Sequence, residues 1–381
     1  MLDNNGKALL TLVRAAIGHN VDAGNAMTGA AWPEICKLAQ RQGVIGIAWD
    51  GFEQLHKDGI IHNEDLPSKS IRLQWALNTE HIAKRYRKQE KIATELAESF
   101  ARDNIATFVL KGLAISQYYP ISEHRECGDL DCFLTKLDQS HSTIMVNDAG
   151  LPICLYNEGN EIAKRIGAVV DVDFYKHSHI NYKGLMIENH AFCTGIRGSK
   201  QRKAFERYIE RLLASRSYSR IGNSALLSPS ADFNALFLTA HSFQHFLTEG
   251  IKLRHVLDWA LLIQAEQDNI DWKSFYEWCD KMHFSKFADA LTTISIKYLG
   301  ITITNDQVRL NSSLADRVLE DILYGDKSVH NSNASKHRKR MMIIRNRLSG
   351  GWKYSEVYER SALLDTLQLI SAFFIERTPK I

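Results

Sequence analysis

The chain has 381 residues, enough for two or three domains with a substantial apolar core. Hydrophobic residues make up 45% of it and charged residues 24%, as in an ordinary globular protein. The formal net charge of +3 is too small for the strong basic field of a dedicated nucleic-acid binder, so we expect no DNA partner.

The sequence predicts a protein of the cytoplasm without a membrane partner. No stretch approaches 18 apolar residues free of charge, and the N-terminus lacks the basic and apolar regions of a signal peptide. The cysteines contain no C-x-x-C pair and no regular spacing, which favours reduced thiols over a disulfide framework. They are Cys36, Cys127, Cys132, Cys154, Cys193 and Cys279.

Residues 1–104 predict an N-terminal helical region. Apolar residues recur at helical spacing in "GKALLTLVRAAIG", and residues 32–57 contain two further short periodic segments. Residues 68–104 run without Gly or Pro, which predicts one long helix.

Residues 105–198 predict a small α/β core. The β-rich run "IATFVLK" is followed by a helix that Gly112 opens and by a second strand, "GDLDCFLT". We expect a polar helix near 136–149 and further strands in "LPICLY", "AVVDVDFY", "SHINYK" and "LMIENHAF". Alternating strands and helices over about a hundred residues are typical of a small sheet with helices packed on it.

Residues 199–381 predict a C-terminal helical domain, whose segment from 228 begins with Ser-Pro-Ser, a favourable N-cap sequence. The predicted fold class is therefore α+β. A small mixed β-sheet core lies between an N-terminal helical segment and a C-terminal helical domain.

Two aspartates interrupt the apolar second strand of the core. Asp129 and Asp131 are two residues apart, so on a strand they point to the same face. Burying that much like charge is costly unless a cation lies between the carboxylates. Lys111 and Gly112 stand before them at a strand-to-helix junction.

This pattern resembles the polymerase-β-like nucleotidyltransferase superfamily, and in particular its uncharacterised bacterial branch. The resemblance rests on "LKG" at 110–112 and on the strand motif R-x-x-G-D-L-D at 125–131. The segments 175–190 and 233–262 are also similar to that branch. The superfamily pattern is a glycine turn, an aspartate pair spaced by one residue and a third carboxylate on a neighbouring strand.

The resemblance implies a Mg²⁺-dependent enzyme (with Mn²⁺ as the possible substitute) that moves a nucleoside monophosphate from a nucleoside triphosphate to an acceptor hydroxyl. Asp129, Asp131 and Glu188 are the expected metal ligands and catalytic residues, since Mg²⁺ prefers carboxylate oxygens. The expected nucleotide contacts come from a lysine, an arginine, a hydroxyl and the backbone of two glycines. These residues are Lys111, Gly112, Ser116, Arg125 and Gly128.

Two assignments in the core stay open from the sequence. Asp171 and Asp173 in "VVDVDF" form a second D-x-D and rival Glu188 for the third carboxylate. Lys176 and His177 in the following hairpin are candidate contacts for nucleotide or acceptor, and exposed hairpin polar residues are the alternative.

The helical half carries a second polar set, which we place on the acceptor side. His241 and His245 lie one helical turn apart, and so do Arg254 and Asp258. The second pair predicts an intrahelical ion pair. Two histidines at this spacing are also typical of a zinc helix, but the glutamate of H-E-x-x-H is missing.

The acceptor is not encoded in these motifs. It could be a small molecule, a sugar, a protein or RNA. Two other functions compete: a catalytically silent nucleotide-binding or protein-interaction module with the same fold, and a toxin- or antitoxin-type nucleotidyltransferase acting on tRNA or protein. The intact acidic residues argue against a silent site.

Overall fold

A computed structural model of the chain describes residues 2–22, 27–140, 143–172, 176–195, 199–215, 217–325 and 336–367. The helical region at the N-terminus contains α1 (Asn4–Ala16), α2 (Trp32–Arg41), α3 (Ile45–Lys57) and α4 (Lys69–Ala101). The 33-residue α4 confirms the long helix predicted from residues 68–104; its N-cap Ser68 accepts a hydrogen bond from the Ile71 N–H.

The central part of the chain alternates short strands and helices. Its elements are β1 (Ile105–Val109), α5 (Leu113–Ser116), β2 (Leu130–Lys136), α6 (Tyr156–Arg165), β3 (Val169–Asp171), β4 (His177–Tyr182) and β5 (Leu185–His190). The predicted polar helix near 136–149 is wrong. The described residues there form isolated bridges, because Thr, Ile and Val alternate with the turn formers Asp, Ser and Gly. The helix of this region is α6, and in "LPICLY" only Pro152 and Cys154 bridge.

The last part is mainly helical, with two very short strands at its start. Its elements are α7 (Lys200–Leu213), β6 (Ser219–Arg220), β7 (Leu226–Ser228), α8 (Ala231–Thr248), α9 (Leu253–Glu266), α10 (Trp272–Met282), α11 (Ser285–Ile294), α12 (Ser312–Tyr324) and α13 (Lys336–Ser349). The Ser-Pro-Ser prediction holds, since Ser230 caps α8 by accepting from the Phe233 N–H.

Within the described residues, seven strands form one mixed sheet in the order β3-β4-β5-β2-β1-β7-β6. β2 is antiparallel to β1 and parallel to β5, and β7 is parallel to β1. The sheet therefore takes two strands, β6 and β7, from beyond residue 198. This arrangement confirms the predicted α+β class with a mixed sheet and helical flanks.

Helices cover both faces of the sheet. On one face α4 and α6 pack on apolar side chains of β2, β4 and β5 such as Leu130, Ile180 and Ile187. Phe108 and Phe133 belong instead to the large apolar core that also contains α8 and α9. The polar site described below lies on the β2 face that carries Phe133.

The N-terminal helices pack on the C-terminal ones. α1 contacts α3 and the π-helical turn Ser295–Leu299, and α1 to α3 share one apolar core with α8 to α12. The buried side chain of Gln42 crosses this boundary: its Nε2 donates to the carbonyls of Ile322 (2.9 Å) and Leu323 (3.1 Å), and its Oε1 accepts from the Leu253 N–H (2.9 Å).

An aromatic cluster joins α2, α3 and α4. Trp75 lies 6.2 Å from Trp32, 5.6 Å from Trp49 and 5.6 Å from Phe52, measured between ring centroids. The Trp75 indole N–H donates to the Ile45 carbonyl at 2.8 Å, so its polar atom is satisfied in the core. Among the described residues, none of the helices combines the length and the apolar character that a membrane span needs.

Candidate active site

A row of polar residues crosses four neighbouring strands of the sheet. Asp171 on β3 stands opposite His179 on β4, His179 opposite Glu188 on β5, and Glu188 opposite Asp131 on β2. Residues directly opposite each other on paired strands point to the same face. The side chains of Asp131 and Glu188 therefore lie on one face, one strand spacing apart.

Lys111 lies between the two aspartates of the motif. Its Nζ is 2.9 Å from Asp131 Oδ2 and 3.8 Å from Asp129 Oδ1. The two carboxylates thus converge on a single cation, although Asp129 lies just before β2 and not on the strand as predicted. The cation that the structure provides between them is the lysine ammonium of the chain itself.

The charges around this ammonium are strongly coupled. Burial alone would lower the pKa of Lys111, but the carboxylates of Asp131 and Asp129 outweigh it and raise that pKa. Burial would raise the pKa of Asp131, but Lys111 and a hydrogen bond from His190 hold it well below its ordinary value. The pKa of Asp129 is raised by burial and by the charges of Asp131 and Glu188, with Lys111 opposing them.

His190 supports the buried Asp131 from the neighbouring strand. Its Nδ1–H donates to the Phe192 carbonyl at 3.1 Å, and its Nε2 lies 3.2 Å from Asp131 Oδ1. Burial and Lys176 would lower the pKa of His190, but the hydrogen bond to Asp131 and the nearby carboxylate of Glu188 raise it. A histidine that donates from both nitrogens is positively charged, so it stabilises the ionised form of Asp131.

Glu188 lies among three imidazoles. Its Oε2 is 3.4 Å from His177 Nδ1 and 3.6 Å from His190 Nε2, and its Oε1 is 3.6 Å from His179 Nε2. Burial would raise the pKa of Glu188, but the nearby imidazoles of His190 and His177 lower it. Burial lowers the pKa of His177 to about 4, which leaves this ring neutral at pH 7.

The position of Asp171 favours Glu188 as the third carboxylate. Glu188 is on the strand next to β2, whereas Asp171 is three strand spacings away, or about 14 Å. The rival Asp173 lies outside the described residues. Within the described part of the chain, groups of three potential metal ligands occur at two places that share Glu188: His177 with His179, and Asp131 with His190.

Gly112 adopts a conformation that only glycine reaches readily, with φ 63° and ψ −110°. A Cβ there would make only ordinary van der Waals contacts, the nearest at 3.9 Å to the Asp129 carbonyl oxygen, so the requirement is conformational. The following α5 has four residues, Leu113 to Ser116. One helical turn carries little dipole, so the expected help of a helix N-terminus in triphosphate binding is weaker than predicted. Gly128 offers its carbonyl to Gln89 Nε2 at 2.7 Å.

Two predicted phosphate contacts are directed elsewhere. Ser116 is fully buried, and its hydroxyl pairs with the Leu113 carbonyl (2.8 Å) and the Tyr86 hydroxyl (2.7 Å). Arg125 is also buried and binds Asp258 with two bonds, Nε to Oδ1 at 2.7 Å and Nη2 to Oδ2 at 2.6 Å. Neither side chain offers a polar group to a phosphate in this arrangement.

The predicted intrahelical pair between Arg254 and Asp258 is wrong. Asp258 is taken by Arg125 and by the Tyr119 hydroxyl at 2.6 Å, while Arg254 Nη1 donates to the Glu126 carbonyl at 2.8 Å. A buried carboxylate gains more from the bidentate fork of an arginine than from a single contact one turn away. The two arginines of the region therefore both hold the loop before β2 against α9.

A small cavity of about 30 Å³ lies between Lys111 and the helical half. Lys111 lines it from the sheet side and His241, Arg254, His255 and Asp258 line it from α8 and α9. Burial, Lys111 and the neighbouring His245 hold the pKa of His241 well below its ordinary value. His245, one of the predicted acceptor-side residues, does not line this cavity. Its Nδ1 lies 3.8 Å from Glu249 Oε2.

Lys176 adds a further cation to the site. Burial lowers its pKa, and the carboxylates of Asp131 and Glu188 oppose that effect. Its side chain packs beside Gly195, where a Cβ would approach its Cγ and Cδ to 2.8 Å. Sequence reasoning did not assign roles to His179 and His190, although alternation along β4 and β5 puts both on the face of Glu188.

The comparisons with known proteins identify the family. A family model described as "Uncharacterised nucleotidyltransferase" matches residues 28–300, which is most of the chain and includes the whole sheet. No curated protein and no solved structure matches. The match agrees with the resemblance seen in the motifs around Asp129 and Asp131. The chain belongs to this nucleotidyltransferase family and is a transferase of phosphorus-containing groups.

Proposed function

We propose that the chain transfers a nucleoside monophosphate from a nucleoside triphosphate to an acceptor hydroxyl, with Mg²⁺ held by Asp129, Asp131 and Glu188. One observation carries the proposal: Asp129 and Asp131 meet at the Lys111 ammonium, and Glu188 stands opposite Asp131 on the neighbouring strand. Mn²⁺, which also prefers oxygen ligands, is the expected substitute.

The donor set fits a hard divalent cation. Asp131 is buried with its charge stabilised by Lys111 and His190, and Asp129 is more exposed at the open side. Carboxylates of this kind, completed by substrate phosphates, are the usual ligands of Mg²⁺. Bound there, Mg²⁺ supplies positive charge that stabilises the attacking and leaving oxygens at the α-phosphorus.

The residues of the chain position the substrates around that charge. Lys111 is next to both aspartates, so when a divalent cation takes its place its ammonium is free to pair with triphosphate oxygens. Lys176 adds positive charge near Asp131 and Glu188, and the backbone at Gly112 lies near Asp129. In the transfer, the acceptor oxygen bonds to the α-phosphorus, the acceptor hydroxyl loses its proton and pyrophosphate leaves.

The acceptor enters from the side of α8 and α9. This assignment rests on the cavity that His241 and Arg254 share with Lys111. Arg125 and Asp258 act as its support, since their buried ion pair fixes α9 relative to the loop before β2. All six cysteines are free thiols, which supports a reducing compartment such as the cytoplasm.

The test is incubation of the purified protein with each labelled nucleoside triphosphate, Mg²⁺ or Mn²⁺ and a fractionated lysate. We expect label on one class of acceptor, and none with Asp129→Asn/Asp131→Asn. Calorimetry should find that triphosphate binding needs a divalent cation. Triphosphate affinity that is equal in EDTA, or in the double variant, would rule out the metal role.

Glu188→Gln separates the third carboxylate from its rival. A ligand that acts mainly in the transition state lowers kcat far more than it raises KM, so transfer should disappear while triphosphate binding changes only a few-fold. Asp171→Asn is the matched control, because it removes a carboxylate from the same row of the sheet. The assignment fails if Asp171→Asn, and not Glu188→Gln, abolishes transfer.

A further inference from the structure

The carboxylate of Glu188 is placed between two imidazole nitrogens at unusual distances. His177 Nδ1 is 3.4 Å from Oε2, and His179 Nε2 is 3.6 Å from Oε1. Both separations exceed the usual range for an N–H···O hydrogen bond, about 2.7–3.2 Å. Hydrogen bonding to the carboxylate therefore does not explain why both rings point at it.

The same distances suit ligands around a metal ion. With bonds of about 2.0–2.1 Å to nitrogen and oxygen, neighbouring ligands of a tetrahedral ion lie about 3.4 Å apart. The ligand atoms of His177, His179 and Glu188 all lie within 4.8 Å of one another. The three side chains therefore offer their ligand atoms to one common region.

The backbone holds these three residues in place. His179 stands directly opposite Glu188, His177 is two residues along the same strand, and six consecutive residue pairs align β4 with β5. Alternation puts both histidines on the face of Glu188. His190, the third ring near Glu188, is engaged by Phe192 and Asp131 through its two nitrogens and does not join this set.

We propose that His177, His179 and Glu188 form a binding site for a first-row transition-metal ion of the Zn²⁺ type, beside the magnesium position and sharing Glu188 with it. Two imidazole nitrogens and one carboxylate favour Zn²⁺, Co²⁺ or Fe²⁺, whereas Mg²⁺ prefers an all-oxygen set. Three protein ligands leave a coordination position open for water or substrate. The site binds metal without nucleotide and does not depend on transfer.

The experiment is a Co²⁺ titration of the metal-free full chain, read from the visible absorption of the bound ion. We expect one Co²⁺ per chain with the intense bands of a four-coordinate site, displaced by Zn²⁺ and not by an excess of Mg²⁺. Each of His177→Gln and His179→Gln should weaken Co²⁺ binding by more than about tenfold, since losing a ligand costs at least as much as losing a ligand's hydrogen-bond partner. Thermal melting checks that the variants fold.

His245→Gln is the matched control, because His245 also faces a carboxylate, that of Glu249. It should leave the Co²⁺ spectrum unchanged. Asp129→Asn should retain Co²⁺ while losing Mg²⁺-dependent triphosphate binding, which separates this site from the proposed transfer centre. The proposal is overturned if the wild type binds no Co²⁺, if the His177 and His179 variants bind it as before, or if His245→Gln abolishes binding.

X-ray absorption of the Zn²⁺-loaded wild type gives a reading that needs no variant. Scattering from two imidazole ligands supports the site. A shell of oxygen ligands without imidazole overturns it.

Discussion

At the scale of single residues, Lys111 occupies the place that a divalent cation takes in the proposed complex. Its ammonium neutralises two carboxylates that would otherwise repel each other. The protein can therefore fold around Asp129 and Asp131 without metal. The same ammonium then has to be displaced when a metal ion binds.

Lys111→Met should tighten binding of Mn²⁺ in the absence of nucleotide. Without the competing ammonium we expect an affinity about tenfold higher, equivalent to about 1.4 kcal/mol. Triphosphate affinity in Mg²⁺ should fall, since a phosphate partner is lost. Electron paramagnetic resonance of free Mn²⁺ measures the first effect and calorimetry the second. Lys84→Met, which removes an exposed lysine of α4, is the control, and unchanged or weaker Mn²⁺ binding in Lys111→Met would contradict the displacement.

The spacing of Asp129 and Asp131 predicted that they lie close together, and both contact the Lys111 ammonium, whereas the supports around them were not predicted. Glu188 was assigned from the resemblance, and its role stays a prediction. Arg125 and Asp258 are 133 positions apart, so their pairing depends on how α9 packs, which no local pattern encodes. The intrahelical pair expected from local spacing was wrong for this reason.

At the scale of elements, one buried ion pair joins the loop before β2 to α9. Arg125 and Asp258 are both about 5% exposed in their side chains, and Tyr119 adds a third group to the same carboxylate. Removing one partner leaves a charge buried without compensation. The pair therefore controls how α9 and the polar residues on it are placed.

Arg125→Met should destabilise the protein by about 3–5 kcal/mol because it leaves the Asp258 carboxylate buried without its charged partner. The double variant Arg125→Met/Asp258→Leu should recover most of this loss, since both buried charges are then gone. Urea unfolding measures the difference. Replacing Arg87, whose ion pair with Glu123 is exposed, should change the urea midpoint of unfolding little. A double variant no more stable than Arg125→Met would show that the charge is not the cause.

Helix α7 carries a carboxylate, that of Glu210, whose pKa is raised. Burial raises the pKa of Glu210 to about 8, and the charge of Glu206 one turn earlier adds to the effect. In the unfolded chain the group loses its proton near its ordinary pKa of about 4.3, whereas the folded protein keeps it until about pH 8. The contribution of Glu210 to the free energy of unfolding is therefore complete at low pH and declines as the pH rises through that window.

Glu210→Gln should remove this decline. The variant should gain stability over the wild type as the pH increases from 5 to 8, at a slope of at most about 1.4 kcal/mol per pH unit. Urea midpoints at several pH values give the slope. Glu98→Gln, on the exposed side of α4, controls for loss of a surface carboxylate. A constant difference between Glu210→Gln and wild type would be evidence against the raised pKa.

Element prediction succeeded where a pattern was long. The 33 residues of α4 and the capped α8 followed from periodicity and N-cap chemistry. The two-residue β6 and three-residue β7 carry too little pattern for prediction. Only the pairing of β7 with β1, and of β6 with β7, makes them strands. α6 was missed because glycine at position 159 weakens its helical signal, and that glycine is required because a Cβ would overlap Leu134.

At the scale of the whole molecule, the two ends of the chain depend on each other. α1 to α3 share an apolar core with α8 to α12, and Gln42 bonds to backbone groups near residues 253 and 322. The N-terminal region therefore supports α9, which lines the cavity next to Lys111. Changes near residue 42 should reach the site through this packing.

Gln42→Ala should cost about 2–3 kcal/mol of stability, because three buried backbone groups lose a partner and each such loss costs about 1 kcal/mol or more. The exposed Gln40→Ala on the same helix is the matched control and should change little. Chemical unfolding followed by circular dichroism gives both values. Equal midpoints for the two variants would show that Gln42 does not join the two regions.

The aromatic cluster of α2, α3 and α4 provides an optical signature for this dependence. The indoles of Trp32, Trp49 and Trp75 lie 5.6–6.2 Å apart along the cluster, close enough for their excited states to couple. Such coupling splits the short-wavelength indole absorption band, in the far ultraviolet, into a pair of circular dichroism signals of opposite sign. That couplet depends on the mutual orientation of the rings. It weakens when α2 leaves α4, because the Trp32–Trp75 coupling is lost, and disappears when α3 leaves as well, even while the helices themselves persist. Detachment of the N-terminal helices can thus be recorded without any label.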